Sequence, residues 1–354
     1  MTLTRAEVLS WLRETDPVRL EELWARADKV RQASVGDEVH RRGLIEISSY
    51  CVRSCCYCGL RAANVGIPRY RMSDAEIWDA AKMAADFGYG TVVLQSGEDP
   101  GLEASRIAAL VRRIKAETPL AVTLSLGERE PDELAAWRKA RADRYLLRFE
   151  TSDDELYRRI HPDLPGKRSD RMALLALLWD LGYEVGSGVM VGIPGQSFAS
   201  LAGDLLTFRK LDLDMIGVGP YLAHPKTPLG SGWIPQPLAA AEQVPSTVEM
   251  TCKVVALTRL LCPDANIPST TALATIDPAQ GRELGLRRGA NVVMPNLTPV
   301  RYRSAYEIYP GKACIAESAT DCHGCLERRI RSLGRRPGQG AGGRRRVPLE
   351  KLKS

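Results

Sequence analysis

The sequence lacks a long apolar segment, and no run of residues approaches the roughly 18 that cross a lipid bilayer. Its first residues, MTLTRAEVLSWLRETD, carry acidic side chains where a secretory signal has an apolar core. The 354 residues also contain no internal repeat. These absences argue against membrane-spanning, secreted and repeat proteins. We expect a cytoplasmic protein without a membrane partner.

A basic surface spread over the whole chain is also missing, although the net charge is +6. Between Glu327 and Ser354, ten Arg and Lys residues stand against two Glu residues, so this segment carries +8. Residues 1–326 therefore carry −2, which argues against a nucleic-acid partner. We expect Gly334–Lys353 to form a solvated, partly ordered tail. Docking of this tail to an acidic face of a protein partner is the alternative.

Short apolar segments alternate with helical segments along most of the chain. The clearest helix is Ser73–Phe87, which begins with a capping box of Ser73 and Glu76. Eight apolar runs have the composition of parallel strands that are buried on both faces. They are Leu44–Ser48, Thr91–Gln95, Ala121–Leu126, Tyr145–Phe149, Glu184–Val191, Met215–Tyr221, Ile267–Ala272 and Asn291–Met294.

A series of eight strands with intervening helices is typical of a closed barrel. We therefore predict an α/β fold, a (β/α)8 TIM-type barrel with an N-terminal helical extension and a C-terminal extension. The predicted boundaries place the helical extension at 1–42, the barrel at 43–310 and the C-terminal extension at 311–354. An open, doubly wound sheet is the alternative architecture.

The chain contains nine cysteines, an odd number that is grouped at the spacings of metal ligands. In a cytoplasmic protein this grouping favours metal binding over disulfides. Cys252 and Cys262 lie apart from the groups in an apolar helical segment, and we interpret both as buried small hydrophobic residues.

The strongest pattern is the segment SYCVRSCCYCG, directly after the first predicted strand. Cys51, Cys55 and Cys58 form C-x3-C-x2-C, and three thiolates can hold three irons of a 4Fe–4S cubane while the fourth iron stays open. S-adenosylmethionine (SAM) can bind that iron through its amino and carboxylate groups. A structural zinc site is the alternative, but zinc usually requires four ligands. The register is also open, because Cys56 offers C-x4-C-x-C.

With the aromatic residue Tyr57 before the last cysteine, this spacing resembles the radical SAM superfamily. The resemblance implies reductive cleavage of SAM to a 5′-deoxyadenosyl radical, with the protein positioning the cofactor. It implies that Gly97-Glu98 binds the SAM amino group, that Glu150 binds the ribose hydroxyls or the ammonium, and that Arg171 binds the carboxylate. The expected SAM-binding residues are Tyr57, Gln95, Ser96, Gly97, Glu98, Glu150, Arg171, Met190 and Gly192.

Longer segments, among them CCYCGLRAAN, VVLQSGEDP, GVGPYLAHPKTPL, IPSTTALATI and YPGKAC, resemble the HydE family of FeFe-hydrogenase maturases, which is related to biotin synthase and methylornithine synthase. The resemblance implies H-cluster assembly by radical attack at the sulfur of a small anionic, cysteine-bound Fe(CO)2(CN) precursor. HydG and HydF are the implied partners, with ferredoxin or flavodoxin as the electron donor. The residues implied to bind substrate are Thr123, Arg148, Thr270, Thr271, Met294 and Tyr306.

Two other functions stay open at this point. One is a mutase or sulfur-transfer enzyme of the biotin synthase and methylornithine synthase group, acting on a small amino-acid substrate. The other is a non-catalytic iron–sulfur scaffold, which would have no need of the SAM-binding residues.

A second cysteine group, Cys314-x7-Cys322-x2-Cys325, matches an accessory site that some members of the family carry. The resemblance implies a second 2Fe–2S or 4Fe–4S cluster there. We expect His323, between the last two cysteines, to face solvent in a loop.

Overall fold

The computed structural model describes residues 3–346. Two helices, α1 (Arg5–Arg13) and α2 (Pro17–Val35), precede the first strand, as predicted. Helix α1 begins with a capping box in which Thr4 and Glu7 bond to each other's backbone. The apolar faces of both helices pack against later helices of the chain, so the extension shares the core of the barrel.

Seven parallel strands form one curled sheet; in chain order they are β1 (Glu38–Ser48), β2 (Thr91–Ser96), β3 (Ala121–Ser125), β4 (Arg144–Leu146), β5 (Glu184–Val191), β6 (Met215–Pro220) and β7 (Val292–Val293). Around the sheet the order is β6-β5-β4-β3-β2-β1-β7. Single bridges from Met215 to Asn266 and from Pro268 to Val292 join β6 to β7. The predicted TIM-type fold is confirmed.

The strands are surrounded by helices, which bury the outward-facing residues of the sheet. In chain order these helices are α3 (Asp74–Asp86), α4 (Ala104–Glu117), α5 (Pro131–Lys139), α6 (Asp154–Ile160), α7 (Arg171–Asp180), α8 (Phe198–Lys210), α9 (Val248–Leu261), α10 (Thr271–Ile276), α11 (Gly281–Arg287), α12 (Val300–Arg303) and α13 (Ala319–Ser332). Within residues 3–346, no helix combines the length and apolar character needed to cross a membrane.

Alternation along the strands determines which side chains reach the barrel interior. In β2, Val92 and Leu94 are fully buried in the core, whereas Gln95 lines a cavity at the carboxyl end of the barrel. Ser125 at the end of β3 lines the same cavity. Parallel barrels gather reactive groups at this end, because the loops that follow the strands meet there.

One predicted strand, Ile267–Ala272, is wrong. This segment makes only the bridge at Pro268, and α10 begins at Thr271 with Thr270 as its cap. The apolar run was too short to distinguish a strand from a helix start, and the threonine hydroxyl that accepts from the Leu273 amide favours the helix. The predicted boundary between residues 42 and 43 falls inside β1.

The basic C-terminal segment was predicted to be a solvated tail, but up to residue 346, the last described residue, it packs against the barrel. A short strand, β8 (Arg336–Pro337), pairs with the start of β1, and the glycine-rich segment after it enters the amino end of the barrel. The carbonyl of Ala341 accepts hydrogen bonds from Thr91 and Arg144, at 2.9 and 3.0 Å. The carbonyl of Gly342 accepts from Arg42 and Asn266, both at 3.1 Å. Residues 338–344 therefore form a plug, and Val347–Lys353 lie outside the described residues.

The plug is held by buried charge. Arg344, with a side chain 9% exposed, pairs with Asp212 at 2.7 Å and with Asp264 at 2.8 Å. Its guanidinium also lies 3.5 Å from the buried Asp214. The net charge of the segment predicted solvation, because the acidic partners of Arg344 are 80 or more residues away in the sequence.

Candidate active site

A cavity of about 310 Å³ lies at the carboxyl ends of the barrel strands. It is lined by most of the residues predicted to bind cluster, SAM and substrate. The predicted residues in this lining are Cys51, Cys55, Tyr57, Cys58, Gln95, Ser96, Gly97, Glu98, Arg148, Glu150, Arg171, Met190, Thr270, Thr271 and Tyr306.

Three of the residues predicted to bind SAM or substrate lie outside this lining. Gly192, after β5, has φ 84°, and a Cβ there would come within 2.5 Å of the Ser246 backbone. Thr123 lies inside β3, and its buried hydroxyl has no hydrogen-bond partner among the described residues. Met294 follows β7 and is half-buried.

The cysteine loop is held in place by one arginine. The Arg69 guanidinium donates to the carbonyls of Ser49, Leu60 and Arg61 and also to that of Asn64. Four carbonyls on one side chain fix the backbone of a segment that has no regular secondary structure. The cysteines are therefore presented by a rigid loop.

Gly97 allows this loop to approach the end of β2. A Cβ at this position would lie 2.3 Å from the Tyr50 carbonyl and 2.7 Å from the Cys51 side chain. The Val52 amide donates to the Glu98 carbonyl at 2.9 Å, which joins the loop to the Gly97-Glu98 pair. Glycine is required at position 97 because the cysteine loop packs directly against it.

Cys55 and Cys56 point in different directions. Cys55 lines the cavity with Cys51 and Cys58. Cys56 packs in a separate apolar cluster, and its Sγ lies 3.6 Å from the carbonyl of Arg159; the other members of that cluster are Leu156, Ile160, Ile193, Tyr221 and Leu229. The geometry favours the C-x3-C-x2-C register over C-x4-C-x-C.

The three cavity thiols suit an iron cluster. Burial raises the pKa of all three, to about 12 for Cys58, so they hold their protons at neutral pH until metal replaces them. Among residues 3–346, no three His, Cys, Asp or Glu side chains converge closely enough to hold a single metal ion. A cubane needs no such convergence, because each thiolate binds a different iron.

Two carboxylates and two arginines form a buried network behind the cysteine loop. Arg53 donates to Glu98 at 2.8 Å and to Glu128 at 2.9 Å. Arg171, the first residue of α7, donates to Glu128 at 3.0 Å and lines the cavity. Neither Arg53 nor Glu128 was predicted as a site residue: Glu128 lies in the SLGERE segment after β3, which has the composition of an ordinary charged turn, and Arg53 lies between the cysteines of the loop.

Glu150 has an unusual backbone conformation. Its φ is 62°, a left-handed value that is strained for a residue with a side chain, and such strain concentrates at functional positions. Arg148 lies 3.2 Å from its carboxylate. Glu150 Oε2 and Arg148 Nε are buried without hydrogen-bond partners among the described residues. Both groups line the cavity, so they can bind polar groups of a cofactor or substrate there.

Tyr306 is positioned from two sides. Gln95 donates to its hydroxyl at 3.3 Å, and the Lys312 ammonium lies 5.2 Å from its ring centroid. Lys312 forms a buried ion pair with Glu46 of β1. The segment after α12 is thus anchored to the barrel and covers one side of the cavity.

His161 is buried beside Arg171, which donates to its Nε2 at 2.6 Å. Burial, and then the charge of Arg171, lower the pKa of His161 from 6.5 to about 2, so the ring is neutral in the folded protein. A depressed histidine pKa leaves the folded state at full stability above pH 6.5, and that stability is lost as the pH falls below 6.5.

We expect His161 to destabilise the folded protein by about 1.4 kcal/mol for each pH unit between 6.5 and 4.5, because only the unfolded chain can bind the proton. The measurement is urea unfolding of the metal-free protein between pH 7.5 and 5, for the parent and for His161→Gln. The variant should lose stability less steeply on acidification. Equal slopes would contradict the assignment.

The second cysteine group is only partly assembled. Cys314 and Cys322 share a hydrogen bond that lowers the pKa of Cys314 and raises that of Cys322. Cys325, one turn later on α13, is exposed. The expectation for His323 is wrong: it lies within α13, is half-buried and stacks on Phe87 with ring centroids 4.5 Å apart.

The chain is similar to known proteins along most of its length. A profile of the radical SAM superfamily matches residues 45–205. The [FeFe] hydrogenase maturase subunit HydE of Thermotoga maritima is 48% identical over 327 residues, which are 92% of this chain and 90% of that protein. The 3-methylornithine synthase of Methanosarcina acetivorans is 30% identical, over 77% of this chain and 74% of that protein.

The fold is similar to a solved structure along almost its whole length. The crystal structure of methylornithine synthase (PylB) superposes with a TM-score of 0.81 and 27% identity, covering 96% of this chain and 95% of that one.

Proposed function

Since this chain belongs to the radical SAM superfamily, we propose that it is the member that acts in assembly of the FeFe-hydrogenase H-cluster. The enzyme class follows from the family, and the maturation role is supported by 48% identity to HydE over 92% of the chain. The observation that carries the proposal is that the three cysteines share one cavity with Arg148, Thr270 and other polar residues.

In this proposal Cys51, Cys55 and Cys58 hold a 4Fe–4S cluster. When bound, the cluster would supply one electron to the SAM sulfonium, whose S–C5′ bond would break to give methionine and a 5′-deoxyadenosyl radical. Arg171 binds the SAM carboxylate, and the Glu150 carboxylate, whose Oε2 makes no hydrogen bond among the described residues, accepts from the ribose hydroxyls or the ammonium. Tyr57, Met190 and the residues from Gln95 to Glu98 complete the SAM contacts, while Gly192 shapes the loop after β5. The buried surroundings exclude water that would quench a radical.

The substrate is proposed to be a cysteine-bound Fe(CO)2(CN) complex. Arg148 has an unpaired Nε at the cavity wall, and the hydroxyls of Thr270 and Thr271 lie in the same wall. These donors suit a carboxylate and a cyanide ligand. Tyr306 also lines the cavity, whereas Thr123 and Met294 would support it from beneath. The radical would form a C5′–S bond at the iron-bound cysteine thiolate, which becomes a thioether, and one electron of the Fe–S bond would pass to the iron and reduce it by one electron.

The partners and the second cluster are proposed on the same basis. HydG would supply the iron complex, HydF would receive the product, and a ferredoxin or flavodoxin would supply the electron. Cys314, Cys322 and Cys325 would hold an accessory 2Fe–2S or 4Fe–4S cluster once Cys325 turns toward the other two thiols.

A mutase related to methylornithine synthase is the alternative within the same superfamily. A free lysine substrate requires a carboxylate for its side-chain ammonium. The carboxylates that line the cavity are Glu98 and Glu150, and Glu98 is already paired with Arg53. The arginine and threonine donors of the wall favour an anionic substrate.

The proposal is tested with anaerobically reconstituted protein, dithionite, SAM and a synthetic cysteine-bound Fe(CO)2(CN) complex. We expect 5′-deoxyadenosine and an adenosylated sulfur product, detected by mass spectrometry, with neither formed by Cys58→Ala. SAM cleavage that the iron complex does not stimulate, together with conversion of lysine, would favour the mutase. No SAM cleavage above the Cys58→Ala level would leave only a scaffold.

A further inference from the structure

A closed ring of hydrogen bonds lies beside Arg171. Arg171 bonds to Glu128 at 3.0 Å, and Glu128 bonds to Ser169 at 2.6 Å. Ser169 bonds to Tyr157 at 2.7 Å, and Tyr157 bonds to His161 at 3.2 Å. His161 closes the ring by bonding to Arg171 at 2.6 Å. All of these side chains except Tyr157 belong to buried or nearly buried residues, and Glu128 and His161 are at most 1% exposed.

The donor and acceptor roles around the ring are all consistent with one another. A guanidinium can only donate, so Nε2 of His161 accepts from Arg171 and the ring proton lies on Nδ1. His161 then donates to the Tyr157 hydroxyl, Tyr157 donates to Ser169, and Ser169 donates to the Glu128 carboxylate. Because each donor has an acceptor, turning Arg171 away would break two bonds in the ring at once.

Glu128 also joins this ring to the cysteine loop. Its second oxygen accepts from Arg53, which lies between Cys51 and Cys55 in the sequence, at 2.9 Å. The Glu128 amide donates to the Glu98 carboxylate at 2.9 Å. One carboxylate therefore contacts both the arginine of the cluster loop and the arginine at the cavity wall. It does not belong to the cavity lining itself.

We propose that Glu128 is a positioning residue for SAM: it fixes Arg171 relative to the cluster loop, so that the SAM carboxylate meets the guanidinium at the correct distance from the open iron. This inference rests on the role proposed above for Arg171. A carboxylate is required because three donors converge on it, and a neutral amide would direct its own NH2 group at one of them.

The test is Glu128→Gln in the reconstituted protein. We expect iron content close to that of the parent and a SAM dissociation constant raised about 10- to 100-fold, as for other supporting groups that orient a ligand-binding side chain. The measurements are equilibrium binding of SAM and the EPR spectrum of the reduced cluster with and without SAM. In the variant, much more SAM should be needed for the spectral change.

A matched control is Asp264→Asn, since Asp264 is also a buried carboxylate paired with an arginine, but at the opposite end of the barrel. It should lower thermal stability and leave the SAM dissociation constant unchanged. An equal rise in both variants would mean that general loosening, and not positioning, weakens SAM binding, and would overturn the inference.

Tyr157→Phe provides a second variant that leaves Glu128 and Arg53 intact. It removes the hydroxyl that links His161 to Ser169, and we expect SAM affinity to fall about three- to tenfold. Unchanged SAM affinity in this variant, with Glu128→Gln unchanged or unfolded, would overturn the inference while the proposed function stands. Failure of the parent itself to bind SAM would overturn both.

Discussion

Cys55→Ala should abolish SAM cleavage, whereas Cys56→Ala, one residue later, should leave the rate within about two-fold of the parent. Cys55 lines the cavity with the other two thiols, and its loss leaves only two protein ligands for a cluster that needs three. Cys56 belongs to an apolar cluster and is not among the residues that line the cavity. Alanine there removes one sulfur atom from a small cluster and no ligand.

The measurement is 5′-deoxyadenosine formed with dithionite after anaerobic reconstitution, together with iron content. Both variants change one cysteine to alanine in neighbouring positions, so each is the control for the other. Loss of activity in Cys56→Ala and retention in Cys55→Ala would reverse the register. Retention in both would mean that either thiol can complete the site.

Arg344→Ala should destabilise the protein by about 3–5 kcal/mol, because it removes one partner of the buried ion pair between Arg344 and Asp264, whereas Asp214 keeps Arg346 at 3.3 Å. Asp264 and Asp214 are 9% and 5% exposed, and both lie within 3.5 Å of the Arg344 guanidinium. Burial already raises the pKa of Asp214, so this carboxyl depends on nearby positive charge to stay ionised. We expect the melting temperature to fall by about 5–10 °C.

Arg345→Ala is the control for this change, since Arg345 is exposed and next in sequence. Its effect should stay within about 0.5 kcal/mol. Thermal melts followed by circular dichroism compare the two variants. Similar melting temperatures for both would show that the plug contributes no more than a surface tail.

The parts of the fold that were predictable depend on local sequence. Short apolar runs with following Gly and Pro residues gave seven of the strands, and the capping box at Ser73 marked the start of α3. The cysteine spacing marked the cavity, because a loop after the first strand of a parallel barrel must lie at its carboxyl end.

The parts that were missed depend on contacts between distant segments. The role of Glu128 is visible only in the folded structure, where Arg53 and Arg171, 75 and 43 residues away in the sequence, both bond to it. From the sequence, Arg344 was expected to be a solvated charge, but in the structure it pairs with Asp212 and Asp264 at the amino end of the barrel. The spacing with Tyr57 before the last cysteine favoured Cys55 over Cys56, but the side-chain directions that distinguish the two thiols are visible only in the structure.

The plug at residues 338–344 affects how small molecules can leave the barrel. With the amino end of the barrel filled by backbone and bonded to Thr91, Arg144 and Asn266, a small molecule in the interior has its way out past the cysteine loop. A nucleoside bound beside the cysteine loop would then have to leave before a molecule deeper in the cavity could follow. Exchange of ligands through the carboxyl end of the barrel would therefore be sequential.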